Sequence, residues 1–490
     1  MKGVNPAGSN ADYHYANEAD FFRMIERFRD YARNDVIVRQ GIRRVVDSVL
    51  KGDGIKPDPD TGDKDLDKRI GEAWHTWCNT PRLCDAAEEW TFKRIARFAL
   101  KQTMIEGDYF GLGLKSGQLQ SVEAHRVRTP NRRLAKGQAD NIIHGVQLSE
   151  VRKRVTYWVL RDEIDPTRQH YSPDMFSQIP VRDEDGGRVA FQVYDPDRYS
   201  QTRGVSVMAP ICDMIGMHND LQFAKLVQAN IVSAFAIFRQ YEGTFSGQQS
   251  DMRTGERETE SMTSGGTKTI EGLGPGMIIK GDPGEKLMGF SPNVPNAEFF
   301  PHAMIILTII AINIGMPVAV LLLDPTKTNF SGWRGAINEA RSGYRSIQEW
   351  MIERLFQPVY EWKLRQWQAA SEDEALVRLL KAAGPKAFYT KWNCPVWEYI
   401  QPEVEAEADA VRLDNMLISP RRLHAERGRE WGEVADEIVE DRERIITKAI
   451  EAAARLKVKD EDVSWRDLAP VEAKGQTQPE PEPAETDNAS

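Results

Sequence analysis

Cysteine is scarce in this 490-residue chain, with only Cys78, Cys84, Cys212 and Cys394. That excludes a disulfide scaffold and suits a reducing compartment. Cys78 and Cys84 have no second pair to complete a zinc site, so they read as free buried thiols. The eight histidines are scattered, and no two have metal-ligand spacing on one helix. A basic excess is also missing: 64 Lys and Arg face 74 Asp and Glu, for a net charge of −10. This argues against a protein that coats DNA with a basic surface, though not against one past which DNA slides. Residues 1–20 are polar and hold no apolar stretch, so no secretory signal is expected.

Motifs for chemistry are equally thin. There is no Gly-x-Ser-x-Gly elbow. Residues 264–269 echo a phosphate loop but lack its first glycine and its Gly-Lys-Thr order, and residues 272–276 are a glycine-rich turn rather than a dinucleotide fingerprint. Asp58, Asp60, Asp63 and Asp65 crowd a Pro/Gly loop, yet Gly62 is misplaced and the distal Glu absent for a calcium loop, which favours a solvated loop. No pattern selects a catalytic carboxylate pair. No cofactor and no metal are expected, and a structural or interaction protein is favoured over an enzyme.

With 41% hydrophobic and 28% charged residues, the chain is ordinary for a globular protein of two to four domains. Residues 303–323 form an uncharged run of bilayer length. Asn313, Gly315 and Pro317 interrupt it and no basic cluster flanks it, so a buried or subunit-interface helix followed by a sharp turn is expected rather than a membrane span.

Periodicity predicts a helix over 18–50, helical pattern over 66–106, and short strands at 109–114, 147–151, 154–160 and 189–194. The fold class is therefore α+β. A long helix is expected over 210–240, roughly 45 Å at 1.5 Å per residue. A polar loop or insertion over 242–269, strands at 276–279 and 287–290, and an apolar helix over 296–314 follow. After a loop at 316–331 another long helix runs from 332 to about 358 and resumes to 370. Further helices cover 372–383 and 403–454, with a β-like stretch at 389–400. Residues 472–490 are acidic and Pro-rich and should be disordered and dispensable for folding. Apolar helices of this length need a partner surface, which packing side by side in a closed ring supplies.

Several marks in order give the chain a family likeness. Arg203-Gly204-Val205-Ser206 before the long helix resembles the start of the stem in tailed-phage portal proteins of the lambda type. Arg33-Asn34, residues 273–278 with Pro283-Gly284-Glu285, and Gly315-Met316-Pro317 are similar to marks of that family. So are Asp324, Asn329-Phe330-Ser331, Arg334, and Trp392-Asn393-Cys394-Pro395 with Ile400 and Pro402. Gly332, Val318-Ala319-Val320-Leu321 and Gln401 depart from the usual pattern.

The resemblance implies a homo-oligomeric ring, typically of twelve subunits, at one capsid vertex of the virion, assembled in the host cytoplasm. Double-stranded DNA would pass through its channel. Terminase, head-completion or tail connector proteins, and capsid or scaffold proteins would be its partners, with no membrane.

The regions would be the wing (1–209), the first stem helix (210–240), the clip (241–295), the second stem helix (296–315) and the tunnel loop (316–331). A long tunnel or wing helix (332–371), the wing end and crown (372–471) and the acidic tail (472–490) would complete it. Lys327, Thr328 and Asn329 would contact DNA. Gly315, Pro317, Asp324, Phe330, Trp333 and Arg334 would anchor the loop. Leu221, Leu226, Ile309 and Ile310 would lie in the subunit interface. The competing readings are a membrane pore built on 303–323, separated by solubility without detergent, and a DNA-processing enzyme, separated by a metal-dependent cleavage assay.

Overall fold

The computed structural model describes residues 18–52, 54–130, 142–161, 171–234, 238–241, 257–261, 267–271, 285–288, 299–324, 326, 328–397, 400–427, 429 and 431–456. The expected strand at 276–279, Lys327 and the tail lie outside these residues. The chain divides into two units, one of residues 1–209 and 314–490, the other of residues 210–313. Helices and strands are mixed, as an α+β chain requires.

The larger unit begins with two helices, Glu18–Asn34 and Val36–Val49, where periodicity alone gives one. Asp35 makes the break: its backbone is extended and its carboxylate accepts from the Val38 amide at 2.9 Å, starting a new helix. Asp63 caps the helix Lys64–Asn79, and Thr91 caps Phe92–Glu106. The latter stops at Gly107, whose φ of +91° is the left-handed geometry of a helix end.

Strands β1 (Lys56–Pro59), β2 (Asp108–Gly113), β3 (Leu119–Val122), β4 (Ile142–Ile143), β5 (Val146–Leu148), β6 (Arg154–Leu160), β7 (Phe176–Pro180) and β8 (Ala190–Tyr194) follow in order. They form a three-stranded sheet, β3-β2-β8, and a four-stranded sheet, β4-β5-β6-β7. Phe110, Val122, Val146, Tyr157, Val159 and Ala190 share one buried cluster between them. The acidic Pro/Gly loop is in part a strand, because β1 pairs antiparallel with residues Thr390–Asn393, over three hundred positions away. Such long-range pairing leaves no local periodicity to read. Asp60 and Lys391 close its edge at 2.5 Å.

The unit returns at residue 314 with a short helix, Val318–Leu322, and a long one, Phe330–Met351. The latter passes through a π-helical turn, Ile352–Phe356, into Gln357–Ala369. Pro358 explains that turn, since it cannot donate to a carbonyl of the preceding turn and a widened loop absorbs the loss. The expected helix over 403–454 is three: Pro402–Asp414, Pro420–Glu426 and Trp431–Leu456.

An aromatic core joins these parts. Trp74 lies 5.1 Å from Trp77 and 5.3 Å from Tyr360, centroid to centroid, and Trp392 is 5.8 Å from Phe356. Lys363 is buried beside it. Its ammonium donates to the Gly117 carbonyl at 2.9 Å and stands 5.2 to 5.8 Å from the rings of Trp77, Trp367 and Trp362. Burial lowers this lysine to about 8. An unfolded lysine titrates near ~10.4, so between the two values the unfolded chain holds a proton that the folded one has released, and stability gains as pH rises. Relative to Lys363→Met, the natural chain should melt progressively higher as pH is raised from 7 to 9.5. A difference between the two that stays constant with pH would contradict this.

In the smaller unit, the helix Cys212–Ala234 is followed by strand β9 (Phe238–Tyr241), so the long helix is shorter than the expected 210–240. β9 pairs with β12 (Glu285–Met288), and β10 (Arg257–Ser261) pairs with β11 (Thr267–Glu271). The polar stretch read as a loop thus holds a ladder: its Thr and Glu residues alternate without an apolar face, so period-two hydrophobicity gives no sign of it. The second helix spans Phe299–Ile314.

Candidate functional site

Two stretches of the larger unit flank the smaller one in sequence: residues 201–209, where the chain leaves, and residues 314–334, where it returns. Each is fastened by polar groups that the sheet and helix ends position.

At the exit, Arg203 has no exposed side-chain surface, and its Nε donates to the equally buried Asp108 at 2.6 Å. Its other nitrogens donate to the carbonyls of Val127 at 2.9 Å, His144 at 2.8 Å and Ala124 at 2.9 Å. The second Asp108 oxygen accepts from Gln192 at 2.9 Å and from the Gly204 amide at 3.0 Å. The rings of Phe21 and Phe110 flank the guanidinium, each at 5.1 Å. One arginine therefore ties both sheets and the first helix to the departing chain. Gly204 presses on Gly107: a Cβ on Gly204 would fall 1.8 Å from the Gly107 carbonyl oxygen. Ser206 donates to the Met104 carbonyl at 3.0 Å and accepts from the Met208 amide at 3.1 Å. The motif Arg203-Gly204-Val205-Ser206 is thus a seam in which contact or space fixes the residue type at 203, 204 and 206.

Beside the seam, Arg29 bridges Glu106, at 3.0 and 2.9 Å, and Glu123, at 2.9 Å. His125 lies 3.1 Å from the Glu123 carboxylate. That hydrogen bond, with Arg29 adding to it, holds Glu123 down at about 2, whereas burial raises Glu106.

At the return, Gly315 takes φ +81° and Pro317 opens the short helix. The uncharged run is thus cut, and among the described residues no helix is long and apolar enough to cross a membrane. Gly41 gives the returning chain room, since a Cβ there would meet Ile314 at 3.0 Å and Leu321 at 3.3 Å. Arg44 donates to the carbonyls of Val320, at 2.6 Å, and Leu321.

The stretch expected as an open loop over 316–331 is therefore partly helical, with Met316, Ala319 and Leu321 buried. The apolar content of Val318-Ala319-Val320-Leu321, a departure from the family pattern, explains this. Exposure begins at Leu323, which is 72% exposed, and among the described residues continues at Thr326 and from Thr328 to Ser331. Asp324 accepts from the Thr326 amide at 3.1 Å and from its hydroxyl at 2.5 Å.

Asn329 caps the long helix, its carbonyl oxygen accepting from the Gly332 amide at 2.7 Å. A Cβ at position 332 would meet that oxygen at 2.8 Å, which accounts for glycine there. Thr328 is exposed. Phe330 is 53% exposed as the first residue of the helix and is not packed as a base for the loop; Trp333 is half-buried. Arg334 donates to Gln401 at 2.9 Å, with Glu405 3.8 Å away. The neutral Gln401, another departure, so faces an arginine that already has a carboxylate close by.

In the smaller unit, Met217, Phe223, Leu226 and Val227 are exposed on the first helix, and Phe300, Ile305, Ile309 and Ile312 on the second. Ile305, Ile309 and Ile312 recur at helical spacing and make one stripe. Of the residues expected at an interface, Leu226 is 66% and Ile309 37% exposed, Leu221 is half-buried, and Ile310 is 1% exposed within its own chain. Lys225 stands 5.4 Å from the ring of Phe299, bringing the two helices together.

Sequence reasoning missed Asp108. The available signal was a carboxylate that opens the otherwise apolar run Asp108–Gly113 directly after the helix stop at Gly107, and once buried it demands a partner. Among the described residues no cluster of His, Cys, Asp and Glu has the arrangement of a metal site.

Comparisons with known proteins bear on this arrangement. The chain is similar to the probable portal protein of Halomonas phage phiHAP-1, 21% identical over 423 residues, covering 85% of this chain and 76% of that one. It is similar to portal protein B of Escherichia phage lambda, 25% identical over 179 residues, covering 34% of this chain and 32% of that one. Among solved structures it is similar to a chain from the neck of an empty gene transfer agent particle computed with C6 symmetry. That match is 11% identical, with a TM-score of 0.45, covering 84% of this chain and 94% of that one. A chain from the neck of the native particle computed with C12 symmetry is 10% identical, with a TM-score of 0.45, covering 84% and 94%. The family model described as phage portal protein, lambda family, matches residues 1–348. The chain therefore belongs to the lambda family of phage portal proteins.

Proposed function

We propose that this portal protein assembles into a closed ring of about twelve copies at one capsid vertex, and that double-stranded DNA enters and leaves through its centre. The family match over residues 1–348 carries this reading. The exposed apolar stripes on the helices Cys212–Ala234 and Phe299–Ile314 support it, because neighbouring copies would cover them. On this reading those helices are the stem and residues 241–295 the clip, which meets terminase and later the head-completion or tail connector proteins. The remainder is wing and crown. The protein is a conduit rather than a motor. A twelve-copy ring at −10 per copy carries about −120, and an acidic wall repels phosphate instead of gripping it through counterion release.

Sparse contacts from the exposed end of the 316–331 segment then hold the DNA. Lys327, flanked by Thr326 and Thr328, is the cation in that stretch. Thr328 and Asn329 join it as contacts, Asn329 also capping the helix that follows. Lys327→Glu should leave rings intact and reduce DNA packaging or retention. Full packaging and retention in Lys327→Glu particles would remove the segment's DNA role and leave the ring intact. A labelled chain incorporated during phage assembly tests the location: the label belongs at one vertex of each head. Label spread over the shell, or absent from heads, would contradict the reading.

A further inference from the structure

A cleft of about 230 Å³ lies in the larger unit, lined by Arg182, Gly186, Gly187, Arg188, Glu361 and Arg365 together with Pro358 and Trp362. Its construction starts from the sequence Asp183-Glu184-Asp185-Gly186-Gly187. The Gly187 amide donates to the Asp183 carboxylate at 2.6 Å, and Gly186 takes φ +81°, closing a tight turn. The turn sets Arg182 directly opposite Arg188 in an antiparallel bridge. Side chains directly opposite in such a pair share a face, and like charges there are destabilising. The helix Gln357–Ala369 adds Arg365 to the same cleft.

Arg182 donates to the Gly186 carbonyl at 2.7 Å, the Arg365 guanidinium stands 4.9 Å from the ring of Phe388, and the Asp183 carboxylate of the turn is held by the Gly187 amide. Among the described residues, no carboxylate lies within ion-pair distance of Arg182, Arg188 or Arg365. The Nε of Arg188 is buried without a hydrogen-bond partner. Burial holds Arg188 below the usual arginine range, with repulsion from Arg182, Arg154 and Arg354 adding to it. Glu361, the one acidic group in the lining, already accepts from Gln357 at 2.9 Å. Three arginines thus line one concavity without a salt bridge among the described residues.

We propose that this cleft binds a phosphate group, held by Arg182, Arg188 and Arg365. Guanidinium forks match oxyanions, and donors converging from two elements suit a tetrahedral group with oxygens facing several directions better than a planar carboxylate, which one fork satisfies. The phosphate has two sources, the free ion or the backbone of a nucleic acid. The second rests on the portal reading; the first does not.

The test is calorimetric titration of the full-length assembly with inorganic phosphate and pyrophosphate. Anisotropy with a short fluorescent DNA duplex and a titration with succinate accompany it. Arg182 and Arg365 are exposed, so an Arg182→Gln/Arg365→Gln variant should fold normally. It should bind phosphate about tenfold or more weakly, since charged hydrogen bonds are lost. Arg365→Lys, which keeps the charge and loses the fork, should fall between the two. A parallel loss of duplex binding assigns the site to a nucleic acid backbone, and unchanged duplex binding assigns it to the free ion. Absence of phosphate binding, equal binding by the double variant, or succinate binding as tight as phosphate would overturn the proposal.

Discussion

Arg203→Met is expected to lower the unfolding free energy of the chain by about 3–5 kcal/mol, because it leaves the Asp108 carboxylate buried without its cation. The same change also orphans the carbonyls of Val127, His144 and Ala124. Asp108→Leu should cost a similar amount, stranding the guanidinium instead. The two losses are not independent. Combined in one chain, they should sum to clearly less than the two single effects, and the double variant should lie closer to the natural chain than additivity allows. Denaturant titration of the four proteins measures this. Additive losses would show that Arg203 acts through its carbonyl contacts and not through the carboxylate.

Leu226→Asp and Ile309→Asp are expected to abolish assembly while leaving the protomer folded. Both side chains are exposed on the protomer, at 66% and 37%. A new carboxylate is therefore solvated in the free chain and meets apolar surface only when copies associate. Burying an unpaired charge in an interface costs several kcal/mol per copy, and a closed ring incurs it at every junction. Ile310→Asp is a different experiment. Ile310 is 1% exposed in its own chain, so its replacement should prevent folding itself. Size-exclusion chromatography with circular dichroism separates the outcomes: folded monomers for the first two variants, misfolded or insoluble material for the third. Normal assembly by Leu226→Asp would remove that helix from the interface.

How far the sequence could be read follows from the range of the forces involved. The helices Lys64–Asn79 and Phe92–Glu106 are written locally, in apolar spacing, in the caps Asp63 and Thr91, and in the stop at Gly107. The strands Arg154–Leu160 and Ala190–Tyr194 are dense enough in Val, Tyr, Trp and Phe to declare themselves. Strand β1 is not, because its partner at Thr390–Asn393 lies at the other end of the unit and Pro57 and Pro59 read as loop.

Asp35 looked like a polar position in one long helix, and only its extended backbone reveals two. At the seam, Arg203 was legible through family resemblance, but its partner Asp108 sits 95 residues earlier and no spacing rule joins them. At the return, Gly315 and Pro317 were legible as a break. The short helix after them was not, since Val318–Leu322 is too brief to show a period. Asn329 and Asp324 carry turn chemistry that the residue types alone suggest.

The central claim is that this chain closes into a ring through the exposed helix faces of residues 210–313. Electron microscopy of the purified full-length protein, with and without Leu226→Asp, tests it most directly. The account predicts closed rings of one dominant rotational symmetry, with a central channel wide enough for duplex DNA, from the natural chain, and dispersed protomers from the variant. A natural chain that remains monomeric under the same conditions as the variant would contradict it.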